Sequence, residues 1–165
     1  MNERISNFQV LPVTITPVLD TSAYVASDVL FVPVIATLQS VLGADHSIRA
    51  EVVGATIIDK SANAGLFDLV FFESLPTTFG ALNAAVGLSS ADALLVKRLV
   101  PVTAYTALKA ATNGIAQPSF DPFTIAVPAG ALGFYVGAIS RDTKTYAASD
   151  LVITLHVRLH NMGLS

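Results

Sequence analysis

The ten residues LVITLHVRLH, Leu151 to His160, decide the fold class. Leu151, Ile153, Leu155, Val157 and Leu159 alternate with Val152, Thr154, His156, Arg158 and His160. A period of two belongs to an extended strand, with one apolar row turned to a core and one mixed row turned out. A helix would scatter the two histidines and the arginine among the leucines. The β-branched content agrees with a strand. The outward row, His156, Arg158 and His160 above all, is then a candidate contact surface.

Immediately before this strand the chain reads DTKTYAASDLV, Asp142 to Val152, and much earlier it reads DTSAYVASDVL, Asp20 to Leu30. Six of the eleven aligned positions are identical, including Tyr24/Tyr146, Ser27/Ser149 and Asp28/Asp150. Each copy leads into an apolar run, so each is expected to be a strand-entry turn. The short polar side chains of Ser27, Asp28, Ser149 and Asp150 can bond turn amides. The tyrosines are expected to lay a ring over the end of the domain with the hydroxyl in water. In a jelly roll the two loops would take related places at opposite ends of one sheet. Because tyrosine is enriched at protein interfaces, Tyr24, Asp28, Tyr146 and Asp150 join the outward row as candidate interface residues.

Further strands are expected in FQVLPVTITPV (Phe8 to Val18), VLFVPVIATL (Val29 to Leu38), EVVGATIID (Glu51 to Asp59), LFDLVFFE (Leu66 to Glu73), LVKRLVPVTAY (Leu95 to Tyr105), PFTIAVP (Pro122 to Pro128) and LGFYVGAIS (Leu132 to Ser140). Pro33 demands an edge, a bulge or a ladder position without a donor. KSANAG, PAGA and SRDTKTYAAS supply turns. The exception is TTFGALNAAVGLSSADALLV, Thr77 to Val96, where Ser89 or Ser90 can cap a short helix through Leu94 with Asp92 near its positive end. About eight strands without a repeating helix give an all-β fold, an antiparallel β-sandwich of jelly-roll type with at most one short helix. A chain of 165 residues fits one such domain, over residues 20–160, with residues 1–19 as an N-terminal strand or arm and 161–165 as a tail.

Composition narrows the function. Hydrophobic residues make up 53% and charged residues only 13%, against about 25% charged in an average soluble domain, so something other than charge keeps the protein in solution. The longest uncharged run, Pro122 to Ser140, approaches the length of a membrane span but carries Pro128, Gly130, Gly133 and Gly137, so no membrane partner is expected. The N-terminus lacks an apolar block before Leu11, which argues against a secretory signal and for synthesis in a cytoplasm. The nine basic residues are scattered and the net charge is -3, which argues against nucleic acid. There is no cysteine, hence no disulfide or thiolate chemistry.

Catalytic signals are weak. On a strand, His156 and His160 stand about 13 Å apart, too far for one metal ion. His46, beside Asp45, Arg49 and Glu51, reads as a solvated turn. Asp59, Asp68 and Glu73 can approach one another on neighbouring strands as a glycosidase pair must, but no tryptophan accompanies them. No nucleophile elbow, P-loop or dinucleotide fingerprint occurs. No catalytic residue, metal or cofactor is expected.

DTSAYVASDVL, LVFFES, TTFGALNAAVGLSSADA and ISRDTKTYAASDLVI together resemble a group of small virion structural proteins of tailed bacteriophages, some of which are capsid decoration or cement proteins. The resemblance covers roughly Asp20 to Val157 and rests on loop signatures. It implies a β-sandwich that forms a homo-oligomer, a trimer, on the virion surface, with the major capsid protein as partner. It leaves open another virion component, such as a head-fibre base or tail protein. A carbohydrate-binding sandwich is a further alternative.

Overall fold

The computed structural model describes residues 10–38, 47–61, 64–109 and 113–161. Asp45, His46 and the tail Met162 to Ser165 lie outside them, as does part of the KSANAG turn. Among the described residues there are ten strands: β1 (Val10–Ile15), β2 (Val29–Thr37), β3 (Ile48–Asp59), β4 (Phe67–Phe72), β5 (Val96–Val102), β6 (Thr106–Lys109), β7 (Asn113–Ala116), β8 (Phe123–Val127), β9 (Gly133–Ser140) and β10 (Leu151–Asn161). One short helix, α1 (Ser90–Ala93), is capped by Ser89, whose hydroxyl accepts the Asp92 amide.

Two antiparallel sheets face each other. Sheet one runs β1-β10-β3-β7-β6, with β8 also on β3. β8 pairs with Ile48 to Val52 and β7 with Ile57 to Asp59, so the two share one flank of the long β3. Sheet two runs β2-β9-β4-β5. The antiparallel pairs β1·β10, β2·β9, β3·β8 and β4·β5 are nested from the chain ends toward the middle, which is the winding of a jelly roll. The expected β-sandwich is therefore present, with a hairpin, β6 and β7, inserted between β5 and β8.

Local chemistry explains the placement. The strand prolines Pro12, Pro33 and Pro101 lie in β1, β2 and β5, each at the edge of its sheet, where a missing amide breaks no ladder. Pro33 also falls where the β2/β9 register shifts. In β3, Ile48, Ala50 and Val52 face the core. A bulge opposite His156 and Val157 then moves the inward row to Ala55, Ile57 and Asp59. The core between the sheets is built from such rows and centres on Phe71, whose ring meets Phe123 edge-on at 4.9 Å.

The outer faces of the two sheets differ. Outside sheet two, Val29, Val70 and Phe72 form a second buried cluster with Phe79, flanked by Val86, Leu88, Leu95, Tyr135 and Ile139. Phe79 reaches Gly137 because that position has no side chain: a Cβ there would lie 3.1 Å from the ring. Residues 73–95 thus fold over sheet two as a strap. Gly80, at φ +114°, lets the strap turn where a Cβ would meet Val29 at 2.8 Å and the Ala85 carbonyl at 2.9 Å. Sheet one has no such cover among the described residues.

Candidate interface surfaces

The repeated stretches lie at the same end of the sandwich, not at opposite ends. The first joins β1 to β2 and the second joins β9 to β10, so both cross between the sheets, in opposite directions. They are tied together: the Leu19 amide donates to the Ala148 carbonyl at 3.1 Å and the Tyr24 amide to the Lys144 carbonyl at 2.8 Å. Each ends in the same four-residue turn. Asp28 accepts the Val25 amide at 2.8 Å and returns its own amide to the Val25 carbonyl at 3.1 Å. Asp150 does the same with Ala147, at 2.6 and 3.2 Å. The two matching stretches are therefore two matching crossover clasps.

Both tyrosines turn inward, contrary to the expectation of a wet hydroxyl. Tyr24 is 0% and Tyr146 4% exposed. Their rings meet edge-on at 6.1 Å. The Tyr24 hydroxyl accepts the Asp20 amide at 2.6 Å and donates to the Leu30 carbonyl at 3.1 Å. A tyrosine beside an xxASD turn can fill the open end of the barrel-like core, and its hydroxyl satisfies backbone that the crossover leaves unpaired. Burial raises the phenol pKa of Tyr24, and likewise those of Tyr146 and Tyr105. Asp28 is also buried. These residues hold the chain to itself, and the identical positions that both copies expose are Thr21, Ala26 and Ser27 of the first, with Thr143, Ala148 and Ser149 of the second.

The outward row of β10 does face out, half-buried from Val152 to His160. Its neighbours follow from register. Thr154 stands between Thr14 of β1 and Thr56 of β3, with its hydroxyl 3.1 Å from that of Thr14. His156 stands between Pro12 and Gly54, its Nε2 3.0 Å from the Thr56 hydroxyl. Val152 lies beside Ile58, and Ile58 beside Ile115 of β7. Toward the other end, Glu51 accepts from Arg158 at 2.9 Å and from His160 at 3.0 Å. The His160 hydrogen bond, followed by the Arg158 charge, holds the Glu51 carboxyl below the usual carboxylate range. Among the described residues the face of sheet one is therefore two patches, one of Thr, Val, Ile and Pro with His156 and no Asp, Glu, Lys or Arg, one an ion-paired cluster near its end.

A cavity of about 650 Å³ lies at the end of the sandwich away from the clasps, between the ends of the strap and the β8–β9 turn. Ile35, Leu75, Leu95, Leu132 and Tyr135 line it, and Glu73, the one acid among its described lining residues, is ion-paired with Lys97. The other acids weighed as a catalytic pair are also engaged separately. Asp59 is 0% exposed and accepts the Ser61 amide at 2.8 Å and the Ala64 amide at 3.0 Å, while Asp68 is paired with Arg141. His156 and His160 have different partners, and among the described residues no three His, Cys, Asp or Glu are grouped to hold a metal. No helix of the described residues is long and apolar enough to cross a membrane.

No protein-family model matches the chain, and no curated protein matches it.

Proposed function

We propose that this chain is a non-enzymatic virion structural protein of a tailed bacteriophage, a capsid decoration or cement protein. It forms a homotrimer on the head and binds the major capsid protein, tying neighbouring capsomers. The observation that carries this reading is the unequal dressing of the sandwich. The chain spends 23 residues (73–95) covering the outside of sheet two and leaves the uncharged patch of sheet one, Val10, Pro12 and Thr14 with Val152, Thr154, Ile58 and Ile115, uncovered among the described residues. A face of β-branched residues without charge suits burial against protein. With only 13% charged residues in the chain, hiding that face also accounts for solubility. A three-fold ring uses two different faces of each subunit, and the uncharged patch of sheet one is assigned to one of them.

The test is native mass measurement of the purified protein, followed by co-sedimentation with phage heads lacking decoration. A trimer that sediments with heads supports the reading. A monomer that leaves heads unbound refutes it, and a subunit located on the tail by electron microscopy replaces it with a tail role.

A further inference from the structure

The strap over sheet two has a fastening of its own. At its middle, the Val29 amide donates to the Ala84 carbonyl at 2.8 Å, the Asn83 amide to the Val29 carbonyl at 2.9 Å, and the Val86 amide to the Ser27 carbonyl at 3.0 Å. Away from that seam, its start and finish converge on one carboxylate. Asp92 accepts the Thr77 amide at 2.7 Å, the Thr78 amide at 3.0 Å, the Thr78 hydroxyl at 2.5 Å and the Ser89 hydroxyl at 2.6 Å, with the Thr77 hydroxyl at 3.0 Å. The Ser89 amide in turn donates to the Thr78 hydroxyl at 2.9 Å. Every one of these donors is neutral. Asp92 therefore closes residues 77–92 into a ring that needs no cation.

The rest of the fold does not need the strap to complete itself. The strap adds no strand to either sheet, only the isolated bridge Asp28–Ala85. The core between the sheets contains no residue of 73–95, whereas the outer cluster depends on Phe79. We infer that the strap is a separately releasable cover, latched by Asp92, whose opening bares Val29, Val70 and Phe72 on the outside of sheet two while the jelly roll stays folded. This stands apart from the assembly reading, since it concerns the single chain. It gives the protein a second apolar face that is hidden until the latch gives way. The cavity at the strap's ends, lined by Glu73, Leu75 and Leu95, would change shape in the same step.

Hydrogen exchange of the full-length protein, read by mass spectrometry, tests it. In Asp92→Asn, amides of residues 73–95 should exchange faster by a factor on the order of 10 to 100, while those of β3 and β10 keep the wild-type rate. Phe79→Ala, which removes the apolar anchor and leaves the carboxylate, should give the same local pattern. The wild-type protein provides a measurement that needs no variant. In rising urea below the main transition, strap amides should exchange by an opening with a shallower urea dependence than β10 amides. Strap exchange unchanged in Asp92→Asn would remove the latch. Strap and β10 amides sharing one urea dependence would show that strap and roll open together, and would overturn the inference.

Discussion

Replacing Tyr24 by Phe isolates what the clasp does, because it removes one oxygen and keeps the ring. That oxygen bonds two backbone groups, the Asp20 amide at 2.6 Å and the Leu30 carbonyl at 3.1 Å, at a position with 0% exposure. Leaving a buried backbone group unsatisfied costs about 1–3 kcal/mol. The Leu30 carbonyl is enclosed, since Leu30 is 1% exposed, whereas Asp20 is only part-buried and its amide can recruit water. About 2 kcal/mol is therefore expected for the pair. In a domain of this size that lowers Tm by about 4–8 °C. The assay is urea and thermal unfolding by circular dichroism, at one fixed protomer concentration so that any oligomer contributes equally to both proteins. A loss below about 0.5 kcal/mol, the scatter of ordinary surface substitutions, would show that neither backbone group depends on the hydroxyl. The tyrosine would then be a ring on the surface of the domain end, and the clasp would owe nothing to its hydroxyl.

Other outcomes follow from the same geometry. Gly80→Ala forces a Cβ against Val29 and the Ala85 carbonyl at positive φ, and should cost at least about 1–3 kcal/mol in urea unfolding, with no loss counting against the strap's placement. Burial raises the phenol pKa of Tyr24, Tyr105 and Tyr146, so their neutral forms contribute stability that is complete below the ordinary tyrosine value and is lost as pH rises above it. Tm should accordingly fall between about pH 10 and the folded-state values, and a flat profile there would contradict the buried hydroxyls. Thr154→Lys with His156→Glu charges the outward row without touching the Glu51 cluster. If that row is a subunit contact as proposed, the native mass should fall while the circular dichroism spectrum stays that of the wild type, and an unchanged mass would count against that row as a contact.

Much of the architecture was legible because its signals are local. The strict alternation of Leu151 to His160 names a strand without any knowledge of its neighbours. Pro33 reads as an edge, a bulge or a ladder position without a donor, and β2 is an edge strand with a register shift there. Ser89 and Asp92 announced a short helix, and Ser90–Ala93 is one. The β6–β7 hairpin was not legible. Its sequence, TALKAATNGIA, has strands of four residues and little β-branched content, so neither period nor propensity rises above background. The direction of the tyrosines was also hidden. An xxASD turn next to a tyrosine reads the same whether the ring caps the core or covers its rim, and only the meeting of two crossovers at one end makes an enclosed site for both rings. The strap illustrates the same limit: Phe79 packs against Gly137, and nothing within either segment points to the other. Asp92 read as a helix-end acid, when most of its partners lie at Thr78 and Thr77, 14 and 15 residues away.

If the uncovered face of sheet one is a surface for burial against protein, as proposed, the isolated chain should associate through it. Native mass spectrometry of the wild-type protein at low micromolar concentration tests it most directly. A trimer that persists on dilution is expected, and a chain that stays single at every concentration would leave that face without a partner and rule the proposed trimer out.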